Sequence, residues 1–165
     1  MRLPKDRMHK EYMNAYLDIE TSFEQKITII GIYFDDGNVV QMVGQEITAE
    51  KISELLAGVE TIYTYNGSRF DLPVIKKHLR IDLEELFNCH DLMHDCWACN
   101  LYGGLKKVEV QLGISRGSEG IDGVMAMKLW EDYIQNDNEN SLKILLDYNK
   151  EDIINLKILR KNLKL

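Results

Sequence analysis

Two carboxylates sit two positions apart in an apolar stretch, Tyr16-Leu17-Asp18-Ile19-Glu20-Thr21. In a strand, alternation puts Asp18 and Glu20 on one face and Leu17 and Ile19 on the other. Neighbouring like charges repel and resist desolvation, so the pair by itself adds nothing to the stability of a fold. A hard divalent cation such as Mg²⁺ or Mn²⁺ resolves the conflict by taking carboxylate oxygens as ligands. A third acid, Asp71, stands where the apolar run 61–65 gives way, through Asn66-Gly67-Ser68-Arg69-Phe70, to an amphipathic stretch with Pro73 near its start. Proline costs little in a first helical turn, so Asp71 belongs at a strand-to-helix junction. Near the C-terminus Tyr148 and Asp152 lie four residues apart in a helical pattern and share a face. Asp18, Glu20, Asp71 and Asp152 thus make a four-carboxylate set, with a tyrosine one turn from the last. Each acid taken singly reads more readily as a solvated surface group or a helix N-terminal carboxylate.

The set taken together resembles a known family. Asp-Ile-Glu-Thr at 18–21, Asn-x-x-x-Phe-Asp at 66–71 and Tyr-x-x-x-Asp at 148–152 are similar to the three motifs of the DEDD 3′–5′ exonucleases, in the ribonuclease H-like superfamily. The tyrosine matches the DEDDy branch, since the histidine branch would carry His where Asp147 stands. Tyr65-Asn66-Gly67, His90-Asp91-Leu92, Gly103-Gly104-Leu105-Lys106, Gly120-Ile121-Asp122-Gly123 and Leu129-Trp130 resemble the YprB-like domain, a group of exonucleases inferred from sequence. The likeness runs from about Tyr16 to the C-terminus. Independent surface acids would have no reason to follow one family's order and context.

The resemblance implies an α/β ribonuclease H-like fold, a mixed central sheet of about five strands flanked by helices. It implies a 3′–5′ exonuclease acting on single-stranded DNA or RNA ends with two divalent ions, Mg²⁺ or Mn²⁺, which lie about 3.5–4 Å apart in such sites. In that scheme Asp18 bridges the ions, Glu20 and Asp152 hold the one that activates water, and Asp71 reaches the other through water. Tyr148 orients the attacking water, because a phenol with a pKa near 10 is a poor base. Thr21 and Asn66 are substrate contacts in the same scheme. Two other readings stay open: a ribonuclease H-type endonuclease, and a catalytically silent interaction module.

Composition bounds these readings. The chain has 165 residues, a length that suits one domain spanning 1–165 and burying its own core. No apolar run approaches the roughly 18 residues of a membrane span, and no secretory signal is visible, so a cytoplasmic protein with no membrane role is expected. Three cysteines suit reduced thiols. Net charge is −7, from 20 Lys plus Arg against 27 Asp plus Glu, which argues against a protein that grips long duplexes. An enzyme holding a few terminal nucleotides is less constrained, and a protein partner could deliver its substrate. Basic residues cluster at Arg2, Lys5, Arg7 and Lys10, at Lys106 and Lys107, and at Lys157, Arg160, Lys161 and Lys164. Lys106 and Lys107, framed by glycine-rich turns, are the candidates for substrate phosphates, though they read equally as solubilising lysines. The C-terminal group reads as a solvated helix face. Cys89, His90, His94, Cys96 and Cys99 crowd together, but all are local, and a zinc ion normally needs a second pair held against the first.

The elements that must position the acids follow from pattern. Strands are expected at 13–18, 26–34, 39–43 and 62–65, with a short one at 89–93 and a hairpin turn at 35–38. Helices are expected at 49–57, 72–79, 95–102, 105–112 and 124–134, and at 142–163 with a break near Tyr148. A meander followed by alternating helices and parallel strands is the order of a mixed α/β sheet.

Overall fold

The computed structural model describes residues 13–165, so the basic group at Arg2 to Lys10 lies outside it. Apolar, aromatic and β-branched residues run through strands β1 (Met13–Thr21), β2 (Ile27–Phe34), β3 (Val39–Val43) and β4 (Val59–Thr64), and β5 (Asn88–Asp91) completes a sheet ordered β3-β2-β1-β4-β5. The first three strands pair antiparallel, and β4 and β5 run parallel to β1. This is the expected mixed sheet. Gly37, at φ 95°, makes the β2–β3 turn.

β1 therefore lies in the middle of the sheet, and its two faces divide the core. Ala15, Leu17 and Ile19 pack on one side with α1 (Ala49–Leu55), α2 (Asp71–Leu79) and the short α3 (Leu83–Leu86). Tyr16 faces the other side, toward α4 (Leu92–Ala98), α5 (Leu105–Leu112) and α7 (Glu139–Asn162), while α6 (Gly123–Asn136) covers Ile29 of β2. Asp18 and Glu20 share the face of Tyr16, so the alternation points both acids at α7.

Three differences from the sequence reading have physical causes. Helix α7 runs unbroken through Tyr148, because residues 139–162 hold no Gly or Pro and the polar Asn149 and Asp152 are buried against partners on the sheet side. β5 stops at Asp91, whose side chain accepts from the Met93 amide and starts α4 three residues before the expected helix. The C-terminal basic group is only partly a solvated face. Arg160 donates to the Tyr16 hydroxyl (2.9 Å) and stacks on Tyr63, and Lys157 donates to the Asp35 carbonyl (3.0 Å). The cysteines and histidines are engaged separately: Cys96 is buried, the Cys89 thiol points to the Leu83 carbonyl, His90 pairs with Asp95, and His94 packs on Trp97.

Candidate active site

The site forms where β1 and β4 part. Their pairing ends at Tyr16 and Tyr63, so the last residues of β1 have no neighbour on that side. Asp71 fills the gap, its Oδ1 accepting from the Ile19 amide at 3.0 Å. The loop before it is held by Asp91, which accepts from the amides of Asn66 (2.7 Å) and Ser68 (3.2 Å) and from the Ser68 hydroxyl (2.6 Å). Asn66 takes a left-handed φ of 59°, and its carbonyl accepts from the amides of Arg69 and Phe70, so its backbone builds the turn into α2. In parallel sheets this crevice, at strand C-termini where the chain leaves in opposite directions, is where ligands bind.

Asp18, Glu20 and Asp152 converge here, each offering an oxygen within 4.8 Å of the others. Asp71 adjoins the trio but falls outside that circle, its near oxygen committed to Ile19. Burial, then repulsion from Asp152 and Asp71, raises Asp18 and Glu20 well above the ordinary carboxylate range. Burial also carries Asp71 to about 7, against the hydrogen bond from Ile19. Asp152 rises to about 6 by burial, with Arg116 pulling the other way. Buried carboxylates that repel and lie within a few ångströms suit a hard divalent cation, which supplies the missing charge.

Asp18 is held by residues that the sequence reading did not single out. In register it faces Gly31 of β2, which in turn faces Gln41 of β3. Gly31 has no side chain, and the amide of Asn149 occupies that space; a Cβ there would overlap it. Asn149, fully buried, donates to Asp18 Oδ2 (2.9 Å) and accepts from Gln41 Nε2 (2.9 Å). A glycine inside the apolar run of β2 was the available signal for this close approach.

Tyr148 is buried beside the acids, and burial followed by repulsion from Asp152, Glu20 and Asp18 pushes its phenol above the usual range. It stays protonated at neutral pH. Lys106 and Lys107 separate clearly. Lys106 places its Nζ 4.3 Å over the Tyr148 ring, buried with no hydrogen-bond partner among the described residues, whereas Lys107 is exposed on the next position of α5. Lys106, Tyr148 and Asp152 line one cleft with the starts of α5 and α6. Thr21, half-buried at the end of β1, pairs with Ile27 across a register shift after Glu20. Arg116 also enters from the loop between α5 and α6, its Nη2 2.5 Å from Asp152 Oδ1.

A model of the RNase H superfamily matches residues 15–164. The chain belongs to that superfamily. A family B DNA polymerase from the hyperthermophilic archaeon Pyrobaculum calidifontis shares the fold with a TM-score of 0.72 at 14% identity. The alignment covers 93% of this chain and 24% of the polymerase, so the chain spans about a quarter of that protein's length. No curated protein matches the chain in sequence. RNase H superfamily membership, with the acidic cluster at the strand ends, supports a nuclease. No helix among the described residues is long and apolar enough to cross a membrane.

Proposed function

We propose that this chain is a metal-dependent 3′–5′ exonuclease of the DEDDy type, in a single domain related to the YprB-like group, acting on single-stranded DNA or RNA ends. The observation that carries the proposal is the convergence of Asp18, Glu20 and Asp152 within 4.8 Å, with Tyr148 packed beside them. Asp18, Glu20 and Asp152 would hold one divalent ion and Asp18 with Asp71 a second, Mg²⁺ or Mn²⁺. Such ions, when bound, activate a water and neutralise the leaving oxygen of a phosphodiester.

The chain's own residues do the rest. Asn149 donates to Oδ2 of Asp18, so the carboxylate is oriented before any ligand arrives. Tyr148, held protonated, can donate a hydrogen bond to a water or to a phosphate oxygen. Lys106, whose pKa is lowered mainly by burial, offers a substrate phosphate an ammonium with no hydrogen-bond partner among the described residues, from above the Tyr148 ring. Lys107, Thr21 and Asn66 would touch the strand next to the reacting end. Substrate delivery by a protein partner fits the chain's net charge of −7.

Tyr148→Phe is expected to slow hydrolysis about 100–1,000-fold, the range for one positioned hydrogen-bond donor in an active site, while Mn²⁺ affinity stays unchanged. Single-turnover rates with Mn²⁺ titrations read both, and an unaltered rate removes the water-orienting role. Linear and circular strands of DNA and of RNA, the RNA also annealed to DNA, separate the two nuclease readings. An exonuclease degrades the linear form alone, and an endonuclease of the ribonuclease H type opens the circle.

A further inference from the structure

Arg116 is tied into the acidic cluster more tightly than a surface arginine. Its Nη1 lies 2.9 Å from both oxygens of Glu109, a fully buried residue of α5 that Asn155 also contacts at 3.0 Å. Its Nη2 bonds Asp152 at 2.5 Å, with Ser118 Oγ at 3.4 Å. The loop that carries it is clamped to α7, because Glu151 accepts from the Gly117 amide and from the Ser118 amide and hydroxyl. The Arg116 side chain is 11% exposed, so its charge acts at short range through little water. Its Nε has no hydrogen-bond partner among the described residues, the nearest carboxylate being Glu151 at 3.6 Å. The guanidinium also lines a cleft with Lys106 and Ser118, open to a ligand.

We propose that Arg116 is the resident cation of this cluster: it occupies Asp152 in the free protein, opposes a divalent ion there, and turns toward a substrate phosphate when one arrives. This rests on the nuclease reading for the identity of the phosphate. The charge argument is direct. An incoming divalent ion would share Asp152 with a guanidinium a hydrogen bond away, and like charges that close repel. A phosphate brings compensating negative charge, and a planar guanidinium recognises it well. Asp152 thereby becomes fully available to metal when nucleic acid is present, so metal loading and substrate binding are coupled. Arg116 is a positioning and gating residue, and the coupling is its signature.

The test is calorimetric titration of the full chain with Mn²⁺, with and without a phosphorothioate single-stranded oligonucleotide. It compares wild type with Arg116→Lys, Arg116→Met and the double variant Glu109→Gln/Arg116→Met. Without oligonucleotide, Arg116→Met binds Mn²⁺ about tenfold more tightly than wild type, and Arg116→Lys, which keeps the charge, stays near wild type. The oligonucleotide tightens Mn²⁺ binding to wild type and Arg116→Lys but leaves Arg116→Met unchanged. Removing Arg116 alone strands a buried Glu109 carboxylate and threatens folding. The double variant leaves no charge stranded at position 109, and its affinity decides the matter if the single variant melts. Mn²⁺ affinity equal to or weaker than wild type in a folded charge-removed variant overturns the proposal. Failure to bind or cut the oligonucleotide overturns the nuclease reading and the phosphate step with it, while the oligonucleotide-free titrations still decide whether Arg116 opposes metal at Asp152.

Discussion

Asp18→Asn is expected to lower hydrolysis about a thousandfold or more, since losing a metal ligand removes several kcal/mol of charge stabilisation and each 1.36 kcal/mol is tenfold. The same change is expected to stabilise the metal-free protein at pH 8. Asp18 is half-buried, and desolvation together with repulsion from Asp152, Asp71 and Glu20 makes its charged form unfavourable. A neutral amide ends that repulsion, and its carbonyl oxygen can still accept from Asn149. Relief of about 1 kcal/mol would raise the melting temperature by roughly 2–4 °C in a domain of this size. Rates under saturating Mg²⁺ or Mn²⁺ and thermal melts in EDTA read the two effects. A large drop in melting temperature would instead make Asp18 a structural residue, held for its bond to Asn149.

The second large effect is on stability against pH. Asp71, at about 7, and Asp152, at about 6, both sit above their unfolded values near 3.8. Between those limits the folded state binds more protons than the unfolded state, so stability falls as pH rises. The contribution is fully present below about pH 4 and is lost as pH climbs through 6 and 7, as each acid is forced to ionise among its neighbours. Melts of the EDTA-treated protein should therefore decline from pH 5 to pH 8. A divalent ion binds the ionised acids, so Mn²⁺ should raise the melting temperature far more at pH 8 than at pH 5.5. Metal affinity should climb across the same range. A metal-free melt that rises from pH 5 to 8, or a metal effect independent of pH, would show that the acids do not share a cation site.

Much of this site was legible because its signals are local. Alternation along β1 put Asp18 and Glu20 on one face, and the structure turns that face toward α7. The one-turn spacing of Tyr148 and Asp152 likewise needed only helix geometry. What escaped the sequence depends on distant partners. Nothing local singled out Asn149, because its partner Asp18 lies 131 positions away. Arg116 and Asp152 are 36 apart, and nothing in the loop between α5 and α6 marks that arginine as bound for a buried acid. Asp91 sat in a recognisable segment, yet its work of holding the 66–68 loop appears only when β5 is laid beside β4. The start of α4 was misplaced for the same reason, because Asp91 both ends a strand and caps a helix.

The most direct measurement is a time course on 5′-labelled single-stranded DNA and RNA with purified protein, in EDTA, Mg²⁺ or Mn²⁺, with Asp18→Asn alongside and products resolved by length. A metal-dependent ladder that shortens from the 3′ end, present in wild type and absent in Asp18→Asn, is the expected result. Substrate left intact at every metal concentration, or cleavage that Asp18→Asn performs as well as wild type, would contradict a metal-dependent nuclease built on these four carboxylates.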